Sequence, residues 1–344
     1  MKKFTKLALV SSLAISANAM AMQAMDDASL GATTGQDGIN IGIGISKIEI
    51  EKLYIHDNDG LTLKGTAAVA GTPPTPASAD YNGGTSTAGA IVIKGNGIAN
   101  HINETNGIVI GANYSSLLAT GNLADLKIDS DAGAGNGNTA FLNIAADVSG
   151  LDINIGEIGI TASGTNDPAT DIRRGGDDAN YNAILSGLSL KTGKMTANIQ
   201  LGAAPQGAMI KLNTKMIGGL EILNLGILDN STKGATVAVH PVAGPITTTT
   251  AGEIFIESIK VADAGGKDLT VNASVSVLGK SAANDGFLRI VSTSGPIDTY
   301  VKGIHLGSRD AGSIGDVEVQ GLQTYFSPAM GTYVPGSVIT ISGR

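Results

Sequence analysis

The feature that most constrains this chain is a short aliphatic pattern, I-x-I-x-x-I-x-I, that returns along its length. Residues 46–57 read S-K-I-E-I-E-K-L-Y-I-H-D, and residues 252–263 read G-E-I-F-I-E-S-I-K-V-A-D. Apolar side chains fall at the same four places, Ile48, Ile50, Leu53 and Ile55 against Ile254, Ile256, Ile259 and Val261. A Glu follows the second apolar residue in both, and an Asp closes both. The quartet recurs as Ile153, Ile155, Ile158 and Ile160. Partial copies carry Leu123, Leu126, Ile128; Leu185, Leu188, Leu190; Val301, Ile304, Leu306; and Val317, Val319, Leu322, with degenerate copies at 108–110 and 220–228.

A second alignment supports the repeat. Phe141-Leu142-Asn143-Ile144 leads to Leu151-Asp152-Ile153 and Ile158, and Phe287-Leu288-Arg289-Ile290 leads at the same spacing to Ile297-Asp298-Thr299 and Ile304. Met209-Ile210-Lys211-Leu212 leads to Leu220-Glu221-Ile222 and Ile227 with one residue inserted. The larger unit is about 60–75 residues long. It is placed at 46–116, 117–182, 183–250 and 251–316, with a half repeat at 317–344, inside a β-rich domain spanning 39–344.

The physics of the pattern is that of a strand with one apolar face, because side chains alternate with a period of two. The x-x step shifts that phase by one, so the chain must bend or bulge to keep both apolar pairs on one side. One such rung cannot bury its own apolar face, and stacking rungs would make a continuous core. The expected fold is all-β, a Gly-rich β-solenoid of the parallel β-helix kind with polar loop insertions. The alternative is a set of tandem antiparallel β-sandwich domains, each one repeat long.

Composition agrees with strands and tight turns: 48 of 344 residues are Gly, aromatics are 3%, and neither Trp nor Cys occurs. Without disulfides an exported chain of this size needs a large core or a long stack. The net charge of −8 excludes a basic nucleic-acid footprint.

The N-terminus has the order of a secretory leader: Lys2, Lys3 and Lys6, then an apolar run over 7–17, then Ala17-Asn18-Ala19. Cleavage is expected after 19, alternatively after 21. The apolar run is shorter than the roughly 20 residues that span a bilayer, so no transmembrane segment is expected in the mature chain. Residues 20–38, with Met22, Met25 and Leu30 on one helical face, are expected to cap the stack or dock to a partner. The chain is therefore expected to be exported by a Gram-negative-type bacterium, extracellular or at the cell surface, with the periplasm as transit. Polar stretches at 72–87, 131–139, 163–182 and 241–251 are expected to be loops and, where they emerge on one side of the stack, to form its recognition surface.

Chemistry-bearing patterns are sparse. His56, His101, His240 and His305 are scattered without metal-ligand spacing, and no nucleophile elbow or nucleotide-binding fingerprint occurs. His56 and His305 occupy similar places beside strand ends, which suits solvent-facing positions. No catalytic residue is assigned, and an enzyme is not expected. Asp57-Asn58-Asp59-Gly60 is like part of a Ca²⁺ loop, since hard oxygen ligands one residue apart can wrap a cation; Asp57 and Asp59 are the calcium candidates. Asp129 and Asp131 form a weaker pair. The plain alternative for Asp57 to Gly60 is a solvated hairpin turn. No other cofactor is expected.

The segment M-Q-A-M-D-D-A-S-L-G-A-T-T-G-Q-D-G-I, from Met22 to Ile39, followed by alternating Ile through Ile45, resembles the mature N-terminus of the FilA-like pilus-system family. The residues that carry the resemblance are Asp26, Asp27, Leu30, Thr34, Gly35, Gln36, Gly38 and Ile39. It implies a secreted, surface-associated or pilus-associated structural protein and no catalytic residues. The function expected is a secreted structural or adhesive surface protein, such as a pilus or filament component. Its partners would be further copies, other surface or pilus proteins, or a host or surface ligand. The alternative is an extracellular β-solenoid that binds or cleaves polysaccharide.

Overall fold

The computed structural model describes residues 38–70, 75–135, 139–166, 169–170, 172–237, 246–281 and 285–343. The expected leader at 1–19, and the expected capping segment up to residue 37 with Met22, Met25 and Leu30, lie outside those residues.

The described chain is strand, turn and irregular structure apart from two short 3-10 turns, Tyr114–Ser116 and Asn230–Thr232. Two large antiparallel sheets hold nearly all the strands, and neither closes on itself. One sheet has eight strands, from Ile39–Ile43 at one edge to Ser337–Ile341 at the other. The second has twelve. These make eight passes of the chain, because four passes are split: Lys47–Ile50 with Lys52–His56, Gly89–Lys94 with Ile108–Ala112, Leu151–Ile155 with Glu157–Ser163, and Gly176–Leu185 with Leu188–Lys191. Leu220–Asp229, Gly252–Asp263, Ile297–Gly307 and Gly315–Leu322 complete it.

The chain lays two strands in one sheet, crosses, lays two in the other, and crosses back. Most crossings are short, as at 149–150, 192–194 and 217–219, whereas those at 113–123 and 323–336 are longer. Each strand thus has a crossing end and a hairpin end. The polar stretches expected as loops sit mostly at hairpin ends, in the connections 57–88, 132–140, 164–175 and 230–251; residues 176–182, expected as part of the loop 163–182, instead belong to strand Gly176–Leu185.

A parallel β-solenoid is therefore not what this chain builds. An aliphatic pattern states which face of a strand is apolar but not which way its neighbour runs, and turns between consecutive strands deliver antiparallel partners with little loop-closure cost. The architecture is all-β and sandwich-like. It also differs from a string of separate sandwich domains, since both sheets run unbroken through the repeats.

Register places the quartets in rows. Ile48, Ile110, Ile153, Leu190, Ile222, Ile259, Val301 and Val317 stand opposite one another across all eight passes of the twelve-stranded sheet. Leu53, Ile93, Ile158, Leu185, Ile227, Ile254 and Leu306 form a second row. The eight-stranded sheet has its own row of Ile39, Ile128, Ile144, Ile199, Ile210, Val275, Ile290 and Ile339. The copy at Leu123, Leu126 and Ile128 runs into that sheet; the other copies lie in the larger one. The three longer alignments all trace one step, out of the eight-stranded sheet and across into the twelve-stranded one.

The x-x step of the quartet is a line of irregularities across the larger sheet. Strands break at Glu51 and Gly156, and Asn224 takes a left-handed φ of 57°. At Gly156 a Cβ would stand 2.3 Å from the Lys94 carbonyl oxygen, so the approach of the neighbouring pass requires glycine. At Gly303, φ is +66° and a Cβ would meet the Glu257 side chain at 2.3 Å.

Where the chain crosses between sheets the ladders stop, and small hydroxyls take over their orphaned backbone groups. Ser149 Oγ donates to the Asn122 carbonyl at 2.7 Å and accepts from the Leu118 amide at 2.9 Å. Thr192 Oγ1 accepts from the Leu151 amide at 3.0 Å, and Ser116 Oγ from the Lys194 amide at 3.0 Å. Thr214 Oγ1 donates to the Lys194 carbonyl at 3.0 Å and accepts from the Thr196 amide at 3.2 Å. All four side chains are buried, and an unmet buried donor there would cost about 1–3 kcal/mol.

The rows themselves are only part-buried, and exposure rises away from the crossings: Ile160 remains 48% exposed. The buried apolar residues among those described are Ala90, Val92, Val109, Ala208, Phe255 and Leu269. Ala90, Val92, Val109 and Phe255 alternate with row residues and so belong to the opposite face of the twelve-stranded sheet.

Candidate functional site

That opposite face carries the polar chemistry of the described molecule. Its residues are the x positions of the quartets, which point away from the aliphatic rows. Three of its features could serve function.

The first is a groove over the edge passes, about 970 Å³ in volume, lined by Lys52, Tyr54, His56, Asn58, Arg173 and Arg174 among others. Lys52, Tyr54 and His56 alternate along Lys52–His56 and so share one face of the strand. The Tyr54 and His56 rings stack with centroids 5.7 Å apart and planes 11° apart. His56 Nδ1 lies 2.6 Å from Ser163 Oγ. Arg174 reaches across from the 164–175 hairpin end, donating from Nε to the Gly164 carbonyl at 2.9 Å and from Nη1 to Asn58 Oδ1 at 2.7 Å. Burial first, and the Arg174 guanidinium second, lower the His56 pKa, so its imidazole favours the neutral form. Lys52 Nζ sits 3.3 Å from Asp178. Two guanidinium groups, an ammonium and an aromatic face make a wall suited to a carboxylate-bearing ligand, although Glu49 and Glu51 line the same groove.

The second is an ion pair with a buried carboxylate. The Glu253 side chain is 8% exposed. It accepts from Arg309 Nη2 at 2.8 Å, from Arg309 Nε at 3.2 Å and from Ser186 Oγ at 2.9 Å. Arg309 Nη2 also donates to Ser186 Oγ at 2.8 Å, and its guanidinium lies 4.9 Å from the centroid of Phe255. Burial alone would raise the Glu253 pKa; the hydrogen bonds from Arg309 and Ser186 outweigh it and hold the carboxyl below its ordinary value. Beside it His305, 12% exposed, packs on Phe255 with ring centroids 5.7 Å apart. His305 Nδ1 is 2.5 Å from the Ala311 carbonyl, and Nε2 is 3.4 Å from Glu257. Both carboxylate oxygens of Glu253 have partners, which makes this a clamp between strand Gly252–Asp263 and the 308–314 connection.

The third is the turn holding the two calcium candidates. The Asp57 amide donates to the Gly89 carbonyl at 2.9 Å, and Asp57 Oδ1 accepts from the Asp59 amide at 3.5 Å. The hydrogen bonds with Asp59, side chain first and backbone second, hold Asp57 below its ordinary pKa. Among the described residues no group of three or more His, Asp or Glu comes together to hold a metal ion. The same turn supplies Asn58 to Arg174, which ties Asp57 and Asp59 to the rim of the groove. Asp129 and Asp131 lie along Ala124–Asp131 in the other sheet, far from this turn in topology.

The expectation that His56 and His305 face solvent is corrected: both sit part-buried on this covered face. His240 lies outside the described residues. Sequence reasoning missed Glu253, Arg309 and Ser186, which come together from distant passes. The available signal was in the x positions. Val92, Val109 and Phe255 fill them with apolar residues, so these strands are apolar on both faces and read as covered on both.

A family model of unknown function (DUF6160) matches residues 1–94, which end with the strand Gly89–Lys94. No curated protein matches the chain, and no solved structure does. None of these comparisons bears on the pilus-system resemblance.

Proposed function

We propose that the chain is an exported structural or adhesive protein of the cell surface, a scaffold that holds its hairpin ends out toward a partner. One observation carries this: the aliphatic rows run in register from strand to strand across the sheets, while four polar connections, 57–88, 132–140, 164–175 and 230–251, sit at hairpin ends of the strands. A framework of that kind has its variable chemistry on loops placed by rigid elements. The leader-like N-terminus and the pilus-family resemblance support the same reading. The test is to treat intact producing cells with protease and probe for the chain. Cleavage within 57–88 or 230–251 on whole cells is expected; a chain fully protected until the cells are lysed overturns the proposal.

A second reading, binding of an acidic polysaccharide, is favoured by the groove of Lys52, Tyr54, His56 and Arg174. Titration calorimetry with uronic-acid oligosaccharides tests it. Binding should be lost in Arg174→Ala; absence of heat from any acidic glycan discards it.

A further inference from the structure

We propose that copies of this chain join head to tail through their sheet edges, extending both sheets from one molecule into the next. The inference deepens the scaffold reading and rests on it. The edge made by Gly315–Leu322 and Ser337–Ile341 would pair with the edge made by Ile39–Ile43 and Lys47–Ile50 of the following copy.

Four observations converge. Among the described residues nothing pairs with the outer flank of any of these strands, so a row of backbone N–H and C=O groups is left open at both ends of the molecule. Soluble proteins usually guard such edges with charge or proline; in the eight-stranded sheet Ile39–Ile43 reads INIGI and Ser337–Ile341 reads SVITI, with neither, whereas Lys47–Ile50 and Gly315–Leu322 of the larger sheet carry charges. The aliphatic rows also end in the open: Ile39 is 60% exposed and Ile339 is 52% exposed at the two ends of one row. A second copy would continue that row and cover both.

Strand direction agrees. Each sheet consists of eight antiparallel passes, an even number, so its first and last strands run in opposite senses. The last strand of one copy therefore meets the first of the next as an antiparallel neighbour, and the alternation continues without a break. Such an interface uses two different surfaces and does not close, which gives linear growth. Continuing the row that ends at Val317 sets it opposite Ile48 of the next copy, and this places Glu318 opposite Lys47. Asp316, which that register sets opposite Glu49, already accepts from Tyr300 at 2.7 Å and from the Gly303 amide at 2.8 Å; Glu49 is already paired with Lys47.

Sedimentation of the purified full chain over a range of concentrations tests this, with circular dichroism confirming that each variant is folded. Wild type is expected to show a ladder of masses that grows with concentration. Ile39→Lys and Ile339→Lys each spoil one edge and should leave single copies. Mixed together they should stop at a one-to-one pair, because each retains the edge the other lacks. Lys47→Glu should weaken association roughly two- to fivefold, and adding Glu318→Lys should restore it. A wild type that stays a single copy at every concentration overturns the proposal, whether the edges are covered by the chain's own N-terminal segment or await a strand from a different protein. So does a mixture of the two edge variants that forms ladders, or like-with-like pairs, since that would mean a face-to-face contact. A single-copy chain that is still cleaved on whole cells removes head-to-tail growth and leaves the surface reading intact; an assembling chain that stays protected inside the cell does the reverse.

Discussion

The two faces of the twelve-stranded sheet are built from opposite materials and are buried in the opposite sense. One carries the aliphatic rows, yet Ile55, Ile91, Ile160, Ile227, Ile254 and Leu306 all remain exposed. The other mixes Tyr, His, Glu, Ser and Thr with a few apolar residues, and there Val92, Val109, Thr161, Glu253 and Ser258 are buried. The cause is cover. Loops fold back over the polar face: Asn103, which is fully buried, donates from Nδ2 to the carbonyls of Asn106 at 3.0 Å, Gly107 at 3.4 Å and Asn154 at 3.1 Å, and so fastens the 95–107 excursion to the sheet. Arg309 does the same for the 308–314 connection through Glu253. Apolar content fixes what a face would gain from burial, whereas the connections decide which face is buried. The rows gain their ordering from cross-strand packing, while the mixed face is held by named polar contacts whose loss leaves buried groups unmet.

The comparison breaks most directly under truncation. Phe255→Ala on the covered face should cost about 3–5 kcal/mol, since it removes a buried ring that also supports Arg309 and His305. Ile160→Ala on the aliphatic face should cost about 1 kcal/mol, because half the side chain is already in water. Urea unfolding of the two variants measures the difference. Equal costs would mean that the aliphatic face is covered in solution, as an assembly through it would require.

Arg309→Met sharpens the same point through charge. Removing one partner of a fully buried pair costs about 3–5 kcal/mol. Arg309 is partly exposed, so about 2 kcal/mol is expected here at neutral pH. The sign of the pH dependence follows from Glu253. Its pKa is lowered in the folded chain, so the stability it contributes is present above the ordinary carboxylate pKa and is lost as pH falls through the lowered value. In Arg309→Met the side-chain hydrogen bonds and charge of Arg309 are gone, and burial, Ser186 and the backbone amide of residue 309 still act on Glu253. The gap between wild type and variant should therefore narrow on acidification, which unfolding curves at neutral and acid pH would record. A gap that widens instead would place the clamp's energy elsewhere.

Asn103→Ala should cost less, about 1–2 kcal/mol, and its effect should be local. Amide exchange is expected to accelerate through 95–107 and to stay unchanged in Leu269–Leu278 of the other sheet.

Much of the row architecture was legible in the chain. Ile48 to Ile55, Ile153 to Ile160 and Ile254 to Val261 announced strands with one aliphatic face and a bulge between pairs, and the register bears this out. Strand direction was not legible, because I-x-I is the same read either way and the hairpin ends at 132–140 and 230–251 resemble insertions. The row through Leu126, Ala146, Ala197, Leu212 and Ala273 was faint, since alanine scarcely marks a face. The Glu253 clamp was hidden for a different reason: Ser186, Glu253 and Arg309 come from three passes, and only the pairing order brings them together. Asp57 and Asp59 were visible as turn residues, and the structure adds their neighbour Asn58 as the anchor of Arg174.

The smallest expected effect tests whether the groove belongs to the covered face or to solvent. A surface imidazole titrates near its ordinary value of about 6.5. His56 should titrate lower, because burial and then the Arg174 charge both disfavour its protonated form. Any stability this contributes is complete above the ordinary value and disappears as pH falls through the lowered one. Histidine resonances followed by NMR would assign the midpoint. Arg174→Ala should move it upward, since it removes the charge and loosens the contact with Asn58, whereas Lys302→Ala, at the other end of the same face, should leave it in place. A His56 that titrates at the ordinary value in wild type and in Arg174→Ala alike would mean that the 164–175 hairpin end does not close over the strand. The groove would then be an open shelf, and the acidic-glycan reading would lose its wall.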